Sequence, residues 1–119
     1  MRFPRAYRLT RDADLRRVAR EGKRIRTQVL EIRAAASPFS HPRVGFIVPK
    51  YSRTNVARNL LKRRLREIVR TELIPNLPAG DIVVRARREA YDAPFTELHE
   101  QLLDSRERLV AMLVMLDTR

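Results

Sequence analysis

Four cations recur at four-residue steps in the middle of this chain: Arg58, Lys62, Arg66 and Arg70. Asn59 and Arg63 lie beside them, and Lys50 and Arg53 stand just upstream. On a helix, at about 100° per residue, the stepped cations share one face. Ala57, Leu61, Leu65, Ile68 and Val69 fall on the opposite arc, which suits a core. Within Val56–Arg70 only Glu67 carries a negative charge. A guanidinium is a planar fork that binds phosphate oxygens in pairs. A ridge of this kind therefore suits a polyanion with regularly placed phosphates. Basic helix faces are commonly just solvated. Here few acids are interleaved to form intrahelical pairs, and the positive excess continues outside the helix.

Catalytic chemistry is sparse by comparison. His41 and His99 are the two histidines, and their spacing matches no zinc-ligand pattern. Ser37, Ser40, Ser52 and Ser105 stand in no nucleophile signature, and no Gly-rich phosphate loop exists. Glu67 and Glu72 sit among arginines as ion-pair partners. No catalytic residue and no protein metal site is expected. If the chain supports a reaction, it does so by binding.

The charge balance points the same way. Lys and Arg number 26 against 14 acids in 119 residues, a net charge of +12. A compact domain with that excess repels itself unless an anionic partner neutralises it. Nucleic acid is the first expectation and an anionic membrane surface the second. Hydrophobic residues make up 44% of the chain, which excludes a disordered basic tail. With no Cys there are no disulfides or thiolate sites. The start of the chain has no apolar signal core, and the longest apolar run, Leu109–Leu116, is too short to span a bilayer. A cytoplasmic protein with no membrane partner is expected.

The elements that must position the ridge can be read in order. Thr10 is a candidate N-cap for a helix over about 11–21, with Asp12 and Asp14 in its first turn and Gly22 as its stop. Residues 25–36 read as one strand with imperfect alternation, and Ser37–Pro42 as a turn. Val44–Val48 is a second strand, ended by Pro49. Ser52 or Thr54 caps a long helix from about Asn55 to Leu73, which Pro75 and Pro78 stop before Gly80 turns the chain. Asp81–Arg87 is a third strand, and its Ile82-Val83-Val84 run predicts burial on both faces. Pro94 opens a last helix with Phe95, Leu98, Leu102 and Leu103 on its apolar stripe. The run Leu109–Leu116 reads as core, with self-association as the lesser alternative. Residues 1–119 thus form a single α+β domain, an α/β sandwich ordered helix, strands, long basic helix, strand, helix.

Particular residues carry a family resemblance. Val44-Gly45-Phe46-Ile47-Val48-Pro49-Lys50, then Ala57-Arg58-Asn59, then Lys62-Arg63-Arg64-Leu65-Arg66-Glu67 resemble the signature of the bacterial ribonuclease P protein subunit. Arg8-Leu9, Asp14-Leu15, Val18 and Gly22 resemble that family's first helix. Gly80–Arg87 resembles its late strand, and Phe95–Leu103 its final helix. The resemblance implies a partner of the ribonuclease P RNA that assists Mg²⁺-dependent removal of the 5′ leader from precursor tRNA. The RNA subunit would perform the hydrolysis and hold most of the Mg²⁺. It also implies a left-handed βαβ crossover, which the general right-handed rule does not supply.

Carried over residue by residue, the resemblance assigns RNA contact to Lys50, Arg58, Asn59, Lys62, Arg63 and Arg66. Arg53 and Arg70 extend the same basic surface. The family's third motif position, usually Arg, is Leu60 here, on the side away from the cations. Its leader cleft often carries aromatics on the first helix, where this chain has Leu15 and Ala19. Phe46 is the remaining aromatic candidate for that cleft, so the leader is expected to be gripped by charge and shape. The alternative is a basic RNA-binding or ribosome-associated protein without a catalytic complex. A DNA reader lacks helix-turn-helix spacing, and a self-sufficient enzyme lacks the chemistry.

Overall fold

The structure, a computed structural model, describes residues 3–117. Arg2, a cation of the N-terminal segment, lies outside them. Helix α1 spans Asp12–Glu21, α2 spans Asn55–Ile68 and α3 spans Phe95–Asp117. Strands β1 (Lys23–Arg26), β2 (Leu30–Ala35), β3 (Pro42–Ile47) and β4 (Gly80–Ala86) form one sheet in the order β1-β2-β4-β3. β1, β2 and β4 are antiparallel neighbours, while β3 runs parallel to β4. The β3–α2–β4 segment is therefore a βαβ unit, with α2 as the crossover.

The expected single strand over 25–36 is two strands joined by a tight loop. Thr27 causes the break: its Oγ1 accepts from Leu30 N at 2.9 Å and from Val29 N at 3.3 Å. A side chain that satisfies the backbone locally competes with the ladder. The imperfect alternation is the trace of this turn, because Ile25 and Ile32 face each other across the hairpin. The expected cap of α1 also moves. Arg11 holds the cap position, with no side-chain bond. Leu9 N donates to Val44 O at 3.0 Å, so residues 8–9 run extended beside β3 and Thr10 cannot enter the cap.

The core lies on the α2/α3 side of the sheet. Ile25, Leu30, Ile32, Ile82 and Val84 meet Leu61, Leu65 and Ile68 of α2 and Leu98, Leu102, Leu109 and Leu113 of α3. On the other face a smaller cluster joins α1, through Val18 and Leu15, to Ala35, Val83 and Ile47. β4 is interior, and its Ile82-Val83-Val84 run serves both faces. Gly80 opens β4 at a negative φ; its missing side chain leaves room for Leu113 Cδ2. Close approach, and not a turn, selects that glycine. In the last helix Phe95 is exposed and stacks on His99, so the buried stripe begins at Leu98. Leu109 and Leu113 are core, while Val114 and Met115 are exposed.

One buried carboxylate locks α1 onto the sheet. Asp81, fully buried at the start of β4, accepts from Arg43 Nε at 2.9 Å and Nη2 at 2.8 Å, and from Arg17 of α1. The hydrogen bond to Asp81 raises the Arg43 pKa above the ordinary arginine value, against the opposing effect of burial. Asp14 lies 3.6 Å from Arg17 and 3.8 Å from Arg43, which closes the network.

Candidate nucleic-acid interface

The ridge sits on a well-anchored helix. Thr54 is the cap: its Oγ1 accepts from Ala57 N at 3.1 Å, satisfying one of the orphan donors of the first turn. Ahead of it, Tyr51 and Ser52 take left-handed φ values of 48° and 67°. Non-glycine residues adopt that conformation only when their surroundings impose it. Here the Tyr51 hydroxyl reaches Ala86 O at 3.4 Å, and Tyr91 OH donates to Pro49 O at 2.6 Å. The strained bend projects Lys50 into solvent at the entrance to α2. Beyond Ile68 the chain continues helically as a π-wound stretch, Val69–Leu73.

The basic residues divide into two groups. Arg58 Nε donates to Val48 O at 2.7 Å, which ties α2 to the end of β3. Arg53 pairs with Asp92 at 2.8 Å and lies over the Tyr91 ring. Arg70 holds Glu67 through two bonds, of 3.2 and 2.6 Å. That hydrogen bond raises the Arg70 pKa and lowers that of Glu67. These three arginines are committed within the fold. By contrast, none of Lys50, Lys62, Arg63 and Arg66 makes an ion pair among the described residues. The Lys62 ammonium has a lowered pKa, first because of desolvation and then because of Arg58 and Arg66 beside it. A lysine pressed by two cations is a site that gains from an arriving anion.

Two concavities adjoin this framework. The larger, of about 1010 Å³, runs along the outer edge of β3. One wall is α2, with Asn59, Leu60, Arg63 and Arg66; the other is the N-terminal segment with Phe3 and Leu9; Phe46 lies in the floor. Gly45 lets the walls meet, since a Cβ there would lie 2.5 Å from Leu9 O and 2.8 Å from Leu15 Cδ2. The smaller concavity, about 240 Å³, opens on the α1 face of the sheet and is lined by Ala19, Ile47, Val83, Glu31, Arg33 and Arg85.

Two sequence expectations therefore need correction. Leu15, Ala19 and Phe46 do not line one cleft. Leu15 and Phe46 line the larger groove, whereas Ala19 lines the smaller one. Strand alternation explains the separation: Phe46 packs toward the α2/α3 core, and its neighbour Ile47 toward α1. Leu60 is not on the far side from the cations. It stands 38% exposed on the same wall as Asn59 and Arg63.

Sequence reasoning missed the arginines of the sheet. Arg24, Arg26, Arg33 and Arg85 belong to β1, β2 and β4, on the registers facing away from Ile25, Ile32 and Val84. Glu31 engages Arg33 at 3.1 Å and Arg24 at 4.0 Å, so the face keeps a positive excess. The signal was present as basic residues alternating with apolar ones, in Arg24-Ile25-Arg26 and Ile32-Arg33-Ala34. Among the described residues no three His, Asp or Glu side chains gather into a metal-ligand set, and no helix is long and apolar enough to cross a membrane.

Comparison with known proteins gives consistent matches. The Ribonuclease P family model matches residues 3–110. The ribonuclease P protein component of Chloroflexus aurantiacus is 41% identical over 100 residues, covering 82% of this chain and 73% of that protein. The protein component of Syntrophobacter fumaroxidans is 38% identical over 104 residues, covering 86% and 87%. Among solved structures, the RNase P protein of Staphylococcus aureus superposes with a TM-score of 0.80 at 25% identity, covering 92% of this chain and 99% of that one. The RNase P protein of Thermotoga maritima, in complex with 1-(4-fluorophenyl)-2-thiourea, superposes at 0.77 and 26% identity, covering 85% and 98%.

Proposed function

The chain belongs to the ribonuclease P protein component family, and from that premise we propose that it docks the catalytic RNA on α2 while holding the precursor-tRNA leader on the α1 face of the sheet. The family makes it the protein subunit of a tRNA-processing ribonucleoprotein. The division of labour rests on one observation: the two cationic surfaces lie on different faces of the same sheet. Lys50, Asn59, Lys62, Arg63 and Arg66 border α2 and the β3 edge; Arg33 and Arg85 line the smaller concavity, and Arg24 and Arg26 lie on the same face of the sheet. Two strands of RNA can therefore be held at once.

On α2 the cations lie along a helix, a spacing suited to phosphates, and Lys62, Arg63 and Arg66 make no ion pair among the described residues. On the sheet, Ile47, Val83 and Ala19 give an apolar floor and the arginines a charged rim. A single-stranded leader fits that surface by shape and charge, with no aromatic side chain on which its bases could stack. The protein's part in the reaction is to neutralise phosphate charge and orient the leader, lowering the Mg²⁺ needed for productive assembly. Mg²⁺ held by the RNA would act as a Lewis acid on the scissile phosphate and would activate the attacking water. No site for it is assigned to the protein.

Reconstitution tests this reading. Protein and cognate ribonuclease P RNA are mixed at low Mg²⁺ and near-physiological salt, and 5′-leader cleavage is followed. Wild type should restore cleavage. Arg63→Ala/Arg66→Ala should lose affinity for the RNA subunit. Arg33→Ala/Arg85→Ala should keep that affinity and raise KM for precursor tRNA. Tight RNA binding without restored cleavage would favour the generic RNA-binding alternative.

A further inference from the structure

The groove along β3 has chemically unlike surfaces. Arg63 and Arg66 place cations with no ion-pair partner among the described residues on the α2 wall. Between them and the floor lies an apolar strip. Val56 is 79% exposed and Leu60 38%, and both line the groove with Phe46. Phe46 is itself held edge-on by Phe3 at a centroid distance of 5.7 Å. Asn59 stands on the same wall, exposed, with an amide that both donates and accepts.

A paired RNA helix cannot satisfy such a surface. It presents phosphates and 2′-hydroxyls and keeps its base faces stacked inside. Docked here, it would neutralise the arginines but lay ionic surface against Val56 and Leu60. An unpaired nucleotide matches both parts, because it joins an anionic backbone to a base with an apolar face. We infer that this groove accepts one unpaired nucleotide of the RNA subunit, with its base on the Val56–Leu60–Phe46 strip and its flanking phosphates on Arg63 and Arg66. Asn59 is placed to bond the base edge, as Asn does with adenine. A cation at position 60 would deny the base its apolar seat, so Leu60 is the residue that makes this a base pocket. The inference rests on α2 being the docking face for the RNA subunit.

Salt dependence separates the two kinds of contact. A phosphate contact contributes to the slope of log K against log salt, whereas an apolar base contact shifts affinity at every salt concentration. Binding of cognate ribonuclease P RNA is measured across salt for wild type, Leu60→Ser, Val56→Ala and Arg63→Ala. Both apolar positions are exposed enough for these variants to fold. Leu60→Ser should weaken binding roughly tenfold with the slope unchanged, in the range of a lost base contact. Val56→Ala should do the same less strongly. Arg63→Ala should flatten the slope by about 0.7 to 0.9. Dimethyl sulfate probing should show an unpaired base of the RNA subunit shielded by wild type and exposed again with Leu60→Ser. The inference is overturned if Leu60→Ser leaves both affinity and probing unchanged, or if the shielded base belongs to the precursor-tRNA leader. It also falls if wild type does not bind the RNA subunit at all, in which case the docking reading falls with it.

Discussion

At the scale of single residues, the ridge is a mixture of anchors and contacts that look alike in sequence. Arg58, Arg53 and Arg70 spend their guanidiniums on Val48 O, Asp92 and Glu67. Lys62, Arg63 and Arg66 do not. Arg58→Ala should therefore lower the stability of the free protein, by about 1.5–3 kcal/mol for a lost hydrogen bond from a charged donor, as well as RNA affinity. Arg66→Ala should lower affinity alone; urea unfolding beside filter binding separates the two. Lys62 predicts a pH effect. Its folded pKa lies below the ordinary lysine value, and a bound phosphate would raise it again. Binding then takes up a proton as pH rises through the window between free and bound pKa. Affinity is fully present below that window and falls through it. Lys62→Arg should remove this alkaline fall, as read from binding while pH is raised toward the ordinary lysine value of 10.5. The sign for stability is the reverse: deprotonating Lys62 relieves the desolvation of its charge and the repulsion from Arg58 and Arg66, so the free protein gains stability above the lowered pKa.

At the scale of elements, the connections decide where the contacts point. Tyr51 and Ser52 are left-handed without being glycine. Ser52→Gly should relieve that strain and stabilise the protein by roughly 0.5–1 kcal/mol, measured by urea denaturation. Gly45 is the opposite case. Gly45→Ala would drive a methyl into Leu9 O and Leu15, pushing the N-terminal segment off the β3 edge. A cost of about 1–3 kcal/mol is expected for that overpacking, with the groove along β3 widened and RNA-subunit affinity reduced. The helix–strand order was legible because the apolar periods are strong, as in Leu61-Leu65-Ile68 and Ile82-Val83-Val84. The hairpin at Thr27 was not, because one hydroxyl turned a continuous apolar pattern back on itself.

At the scale of the whole molecule, Asp81 joins α1 to the sheet and so sets the smaller concavity beside it. It is fully buried between Arg17 and Arg43. Asp81→Ala would leave Arg17 and Arg43 with only the longer ion pairs to Asp14, at a cost of about 3 kcal/mol by analogy with broken buried pairs, lowering Tm. The loss should fall on precursor-tRNA KM before RNA-subunit affinity, since α2 is anchored independently through Thr54 and Arg58. Charge, periodicity and motif order by themselves determined that this is a basic α+β fold of the ribonuclease P protein family with a row of cations along one long helix. Those properties are local or additive: helix periodicity, capping and net charge follow from neighbouring residues. Only the tertiary structure decided that Ala19 and Phe46 serve opposite faces, that Leu60 shares a wall with Asn59 and Arg63, and that Arg33 and Arg85 line one concavity. Each depends on strand register, and a strand's neighbours are chosen by burial across the whole sheet, with β3 placed beside β4 only after α2 has crossed between them.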